Sequence, residues 1–404
     1  MRRIVIVGAG IIGATLAARL AGAGADVTLV DARRPGTATS ATSLAWLNAN
    51  QKLPRHYHDY SVRAMHEWRE LMDGFGRPDW YVPTGGLSWA ESDSDRRRLA
   101  ERLDRLRDWG YPAVELTPRQ AVELEPALRV PGTALVASFP AEGYVHGRPA
   151  VDAFVTRARA AGARVVVTGG DVLVEAGAGG VSAVRLPDGG RLDADVYVSC
   201  AGWRTGRLLE PLGVVVPIVP GDAPGSSAPC VVTRVAGPGT HSPVGRLVHP
   251  PGLSLRPALG GGLQLEAGDL NDLVDVHTTQ EDLDRHGETL LRRAERVIPG
   301  LAARPIENVR CFRPLPVDGH PLTGWLPTLP NTYLIVSHSG MTLAPLLARH
   351  AATEILDGTD HDELAAYRLT RFATSELGPS PTATSPTPIA GTAGRSRPAP
   401  SRSS

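Results

Sequence analysis

Lysine is almost missing from this chain. Lys52 is the only one, and arginine supplies the other 41 of the 42 basic side chains. Any chemistry that needs a primary amine therefore has a single candidate. Cysteine is scarce too. Cys200, Cys230 and Cys311 are odd in number and widely spaced, which excludes a dense disulfide framework and leads us to expect a reducing, cytoplasmic setting. Neither Cys-x-x-Cys nor His-Glu-x-x-His occurs, so no metal site is expected. The absence of Gly-x-Ser-x-Gly argues against a hydrolase elbow. The 42 acidic and 42 basic side chains cancel, which leaves no electrostatic footprint for nucleic acid or a membrane surface. No apolar run is long enough to span a bilayer, so no integral membrane segment is expected. The apolar run after Arg2-Arg3 is interrupted by glycines and reads as the start of a fold, not as a signal peptide.

What the chain does have is a complete βαβ pattern in its first residues. Ile4 to Val7 reads as a buried strand and runs into Gly8-x-Gly10-x-x-Gly13. An Ala- and Leu-rich helix follows to about Ala23, and a second strand, Val27 to Val30, ends at Asp31. These are the parts of a dinucleotide fingerprint in the required order. Gly8 permits the turn, Gly10 lets backbone approach a pyrophosphate, and Gly13 allows close packing of helix on strand. The helix N-terminus, from Ile11 and Ile12, offers free N–H groups to phosphate. Asp31, followed by Ala32 and Arg33, is placed to accept hydrogen bonds from a ribose diol. The motif by itself fits NAD as well as FAD.

At 404 residues the chain has room for two domains or one interleaved pair. Residues 54–75 read as an amphipathic helix with Tyr57, Tyr60, Ala64, Trp68, Leu71, Met72 and Phe75 on its core face. His56, His58 and His66 read as surface residues of that helix. Residues 93–109 read as a charged helix with a solvated face, and Thr117-Pro118 as a helix start. Residues 149–161 read as a helix closed by Gly162. Strands are expected at 165–167, 172–175, 181–186 and 192–199. A helix is expected over 280–297, a buried strand over 332–336, and a last helix opened by Pro345 and stopped by Gly358. The Pro-, Ser- and Thr-rich stretch 376–404 is expected to be a disordered tail. The strand-rich middle and the late glycine-ended strand Val196 to Gly202 suggest a cofactor domain interrupted by a substrate domain.

Three further segments, taken with the fingerprint, resemble the D-amino-acid-oxidase-like (DAO) family of FAD-dependent oxidoreductases, which includes glycine and sarcosine oxidases and D-amino acid dehydrogenases. One is Glu142-Gly143-Tyr144-Val145-His146-Gly147-Arg148 with its following helix. Another is the strand Asp195 to Trp203. The most diagnostic is Arg313-Pro314-x-x-x-Asp318-Gly319-x-Pro321-x-x-Gly324, followed by His338-Ser339-Gly340-Met341-Thr342-Leu343-Ala344-Pro345. The resemblance runs from residue 1 to about 372. It implies an α/β fold (α+β overall), with a Rossmann-like FAD domain from 1–80, 141–215 and 300–375. A mostly antiparallel substrate domain would come from 81–140 and 216–299.

The resemblance also assigns roles. FAD would contact Gly8, Gly10, Ile11, Ile12, Gly13, Asp31, Ala32, Arg33, Thr42, Ser43, Val172, Ala201, Gly202, Arg313, His338, Ser339, Gly340, Met341 and Thr342. Arg313 would bind the substrate carboxylate through its planar fork; the structural alternative is a salt bridge, for instance to Asp318. The implied reaction is oxidation of the C–N bond of an amino acid or secondary amine, by hydride transfer to flavin N5 and hydrolysis of the imine. Cys311, seven residues before Asp318, matches sarcosine-oxidase-like proteins that attach flavin through a cysteine; the alternative is a buried strand cysteine. The second arginine of glycine-oxidase-like members is missing. The oxygen-activating lysine of sarcosine-oxidase-like members is not matched by the position of Lys52, which tips the expectation towards a dehydrogenase with an unknown electron acceptor. An NAD-dependent dehydrogenase and a non-catalytic flavin-binding subunit remain the alternatives.

Overall fold

Alternation along the first strand divides the molecule. The structure, a computed structural model, describes residues 1–237 and 239–372; the expected tail at 376–404 lies outside them. In Arg3–Val7, Ile4 and Ile6 point into one core and Val5 and Val7 into another, as period-two geometry demands of a strand buried on both faces. On the Ile4 side lie the helices Ile11–Gly22, Arg55–Asp73, Gly147–Ala160 and Gly340–Asp357. On the Val5 side lies a three-stranded sheet of Leu173–Gly177, Gly180–Arg185 and Arg191–Leu192.

The sheet between these layers has six strands. Their spatial order is Leu322–Leu326, Leu329–Val336, Val196–Ser199, Arg3–Val7, Asp26–Asp31 and Arg164–Val167. All neighbours are parallel except the first pair. Strands from residues 3 to 336 thus build one cofactor-type sheet. The expected single strand over 192–199 is corrected. Leu192 ends a strand of the small sheet, and Val196 begins the central one. Between them Asp195 turns the chain, accepting from the Arg3 backbone N–H at 2.8 Å.

A second, eight-stranded sheet runs Arg304–Phe312, Pro229–Ala236, Leu263–Glu266, Ser254–Pro257, Leu247–His249, Gly86–Ala90, Leu135–Phe139, Val114–Leu116. It is mostly antiparallel. The helix Gln280–Val297 buries Leu283, Leu290 and Ala294 against it. The strand Arg304–Phe312 belongs here although it falls in the 300–375 range read as cofactor domain. It pairs with Pro229–Ala236 along its whole length, and the chain crosses back only at Arg313. Two buried side chains tie this sheet to the other half. Arg256 Nε donates to the Leu44 carbonyl at 2.5 Å, and Gln264 Nε2 to the Ser43 carbonyl at 2.6 Å.

Two local expectations are also corrected. The last helix begins at Gly340, so Pro345 lies inside it. Proline removes the donor that would bond the Met341 carbonyl, and Trp68 Nε1 supplies a replacement at 2.9 Å. His58 is buried, not superficial; its Nδ1 sits 2.8 Å from the Ala49 carbonyl, and its ring lies between Trp109 and Tyr111. His56 and His66 are exposed, as expected of the outer face.

Candidate active site

Backbone donors come first. Gly8 has φ +108°, and a methyl group there would lie 2.3 Å from the Cys200 carbonyl oxygen. The turn therefore needs glycine, and it brings the Ala201-Gly202 strand end against the loop. Ala9 N–H donates to Asp31 Oδ2 at 2.7 Å and Ile11 N–H to Ser40 Oγ at 3.0 Å. Arg33 N–H donates to the other Asp31 oxygen at 2.9 Å. The amides of Gly10, Ile12 and Gly13 have no acceptor among the described residues. A fixed loop with unused donors at a helix start is the chemistry a pyrophosphate requires.

A second helix start faces the same region. Gly340 packs on Ile12, and a methyl on Gly147 would meet the Ser40 carbonyl at 1.9 Å and Met341 Cε at 2.6 Å. The first-turn amides of Gly340, Met341 and Thr342 are also without acceptors among the described residues. Thr342 Oγ1 donates to the Trp46 carbonyl at 3.1 Å and accepts from Asn48 N–H at 3.3 Å. Residues 8–13, 40–43, 147, 201–202 and 339–342 thus converge. Val172 is partly buried and packs against the core that also contains Val7 and Val30. The residues present fit a dinucleotide: the amides of Gly10, Ile12 and Gly13 would hold its phosphates, and those of Gly340 to Thr342 would offer a second set of donors.

The segment from Trp46 to Lys52 is held by one buried carboxylate. Glu142 accepts from Trp46 Nε1 (3.0 Å), Ala49 N–H (3.0 Å), Asn50 N–H (3.0 Å), Asn50 Nδ2 (2.8 Å) and Tyr111 OH (2.9 Å). Burial pushes its pKa up and these donors pull it back. Beyond this anchor, Lys52 Nζ reaches Ser339 Oγ at 2.7 Å. Tyr57 OH donates to the same oxygen at 2.8 Å. Desolvation lowers the Lys52 pKa to about 8, with Glu142 opposing, and raises that of Tyr57 to about 12.

Lys52, His249, Glu266 and His338 are each partly exposed, and burial is the first cause of the pKa shift of each. Burial lowers His338 to about 3, with Arg313 and Lys52 adding repulsion, so its ring is neutral. Burial likewise lowers His249 to about 3, with Arg102 contributing. The His249 ring lies 4.2 Å from Trp46, and its Nε2 is buried without a partner. Glu266 is raised by burial against the pull of Arg313 and a hydrogen bond from Asn271.

Among the described residues Arg313 makes no salt bridge. Its Nε donates to the Ala228 carbonyl at 3.2 Å and Nη2 to that of Ser227, while Asp318 is bound by Arg371 at 2.7 and 3.0 Å. Two residues earlier, Cys311 lies directly across the sheet from Cys230. A hydrogen bond from Cys230 lowers the Cys311 pKa against burial, with Thr42 helping, and raises that of Cys230. Cys200, Cys230 and Cys311 are free thiols. No cluster among the described residues could hold a metal ion. No described helix is long and apolar enough to cross a membrane.

Sequence reasoning missed Lys52, because its early position hides the fold-back of residues 46–52 onto the Ser339 turn. It missed Glu142 as an anchor and Glu266 as a carboxylate near Arg313. Only a signal of tertiary contact could have found them. Lys52 reaching Ser339 also removes its sequence position as an argument against an oxidase.

A glycine-loop βαβ unit, a parallel sheet, a second helix start at the far end of the cofactor groove and an antiparallel sheet over it define a two-part flavin-dependent oxidoreductase. The family model described as FAD dependent oxidoreductase (DAO) matches residues 3–354, and the chain belongs to that family. The family assigns the dinucleotide site to FAD. The chain is 27% identical to the uncharacterized oxidoreductase YurR of Bacillus subtilis, over 91% of this chain and 98% of that one. It is 26% identical to a glycine oxidase of Pseudomonas aeruginosa, over 89% of this chain and 95% of that one. The solved structure of an iminodiacetate oxidase from Chelativorans sp. BNC1 superposes with a TM-score of 0.76 at 23% identity, covering 91% and 98% of the two chains.

Proposed function

We propose that the protein oxidises the C–N bond of a small amine bearing a carboxylate, an amino acid or its N-substituted relative. The observation that carries this reading is Arg313, a guanidinium that makes no salt bridge among the described residues, although Glu266 lies near enough to feel its charge. Its remaining donors form the fork that pairs with a carboxylate. The related glycine oxidase and iminodiacetate oxidase are named for small amines with carboxylates, which supports the same class. FAD, when bound, accepts the hydride. The protein's part is to bind and orient. Arg313 holds the carboxylate, and the helix start at Gly340 to Thr342 offers partial positive charge to the electron-accepting end of the cofactor. His338 and Tyr57 stay neutral there. The amine enters deprotonated, and the imine product hydrolyses after release.

The test is the visible flavin band of the purified holoprotein, recorded without oxygen before and after glycine, sarcosine, iminodiacetate, L-proline and D-amino acids. Bleaching by one of them is expected. A band that none of them bleaches would overturn the reading in favour of a non-catalytic flavin protein. The rate at which air restores the band distinguishes oxidase from dehydrogenase. The three free thiols support a reducing, cytoplasmic setting.

A further inference from the structure

A serine just before a helix usually turns its oxygen back to accept from a first-turn amide. Ser339 stands in that place before Gly340–Asp357 and does not do so. Its oxygen accepts instead from Lys52 Nζ at 2.7 Å and from Tyr57 OH at 2.8 Å. Lys52 Nζ lies 5.6 Å from the centre of the Tyr57 ring, so the three side chains form one cluster. Two accepted hydrogen bonds fill both lone pairs of a hydroxyl. Ser339 is left with its own O–H, which meets no acceptor among the described residues.

Holding the serine back keeps the helix start open. The amides of Gly340, Met341 and Thr342 stay without acceptors among the described residues, although a side chain able to cap them stands beside them. A methyl group on Gly340 would lie 3.3 Å from Ile12 Cδ1, so this end adjoins the glycine loop of the FAD site. Lys52 also brings a charge there. It is the only lysine in the chain. Its pKa is lowered only to about 8, so the ammonium is charged at pH 7. It makes no salt bridge among the described residues, and Glu142, whose charge reaches it, already accepts five hydrogen bonds. An inward ammonium is costly unless an anion meets it.

We propose that Lys52 tunes the flavin: it holds Ser339 away from the helix start, and its charge stabilises the negative charge that FAD gains on reduction. Lys52 is thus a positioning residue for the cofactor, acting through Ser339 and through its field. The inference goes beyond the proposed amine oxidation and rests on the FAD site alone.

The test uses the FAD-loaded protein at pH 7 and no amine. Sulfite adds to oxidised flavin: its sulfur lone pair forms a bond to N5, no group leaves, and the ring takes up negative charge, which bleaches the visible band. The sulfite Kd is read from that bleaching, and the two-electron midpoint potential is read against a redox dye. Lys52→Met is expected to weaken sulfite binding about tenfold, the order of one partly screened charge. The same factor lowers the potential by about 30 mV. Lys52→Gln keeps a donor for Ser339 without the charge and should behave like Lys52→Met. Lys52→Arg keeps the charge and should retain most of both values. A potential unmoved in Lys52→Met and Lys52→Gln would overturn the inference. So would a potential lowered equally in Lys52→Arg, because lost fit and not lost charge would then be the cause. Neither reading needs a substrate, so their failure leaves the proposed amine oxidation standing, and a flavin that no amine bleaches leaves this inference standing.

Discussion

At the scale of single residues the candidate site holds charges with few counter-charges, and its behaviour follows from that. Arg313 offers a planar fork, so Arg313→Lys keeps the charge and loses the two-point geometry. We expect KM for the carboxylate-bearing amine to rise about tenfold, the loss of one charge-assisted hydrogen bond, measured by anaerobic flavin reduction. Lys52 gives the pH dependence. Its pKa is lowered to about 8 because desolvation disfavours the ammonium. Below that pH it is charged, and above it the charge is lost. Unfolding free energy should therefore rise between about pH 8 and 10.5 relative to that of Lys52→Met, because the unfolded chain binds the extra proton there, read by denaturant unfolding at each pH. Lys52→Arg should abolish the pH dependence. Cys311 is a separate case, because Cys230 and Thr42 favour its thiolate. Flavin carried into an acid-precipitated pellet would support attachment through Cys311, and a colourless pellet would exclude it.

At the scale of elements, local rules and tertiary demands part company in identifiable places. The helix Gly340–Asp357 carries Pro345 in its interior, and the Met341 carbonyl that proline leaves unbonded is capped by Trp68 Nε1 at 2.9 Å. Trp68→Phe would keep most of the packing and strand that carbonyl, so we expect a loss of about 1–3 kcal/mol in denaturant unfolding. Proline rules alone put the helix start at Pro345, because the compensating donor lies 273 residues away in sequence. The same distance effect hid the site. Gly8-x-Gly10-x-x-Gly13 and Asp31 were legible as candidates because a short-range motif encodes them, and Gly202 and His338 to Thr342 because they resemble a family pattern. Lys52, Glu142 and Glu266 were not legible, since each acquires its role only when separate segments come together. His58 was misread for the opposite reason: helical spacing gives a face, but not the Trp109 and Tyr111 rings that cover it.

At the scale of the whole molecule, the segments proposed to hold the cofactor are far apart in the chain. Residues 8–13, 31–33, 40–43, 147, 201–202 and 339–342 come from both ends and the middle, and the eight-stranded sheet is joined to them through Leu44 and Ser43. The amides of Gly10, Ile12, Gly13 and Gly340 to Thr342 lack acceptors among the described residues. A ligand that supplies those acceptors binds only the folded arrangement, because the unfolded chain does not bring the two helix starts together. Linkage then makes FAD a folding ligand, worth about 4 kcal/mol when free FAD is a thousandfold above its Kd. Stripping the flavin should lower the melting temperature by several degrees, and adding FAD should restore it. NAD, which offers a pyrophosphate but no flavin for the Gly340 end, should restore little. Gly147→Ala separates this linkage from general destabilisation. Its methyl group would collide with the Ser40 carbonyl and Met341, where the two halves of the site meet. The variant should therefore lose most of the FAD-induced rise. A rise as large as that of the unaltered protein would show that the cofactor does not depend on this junction.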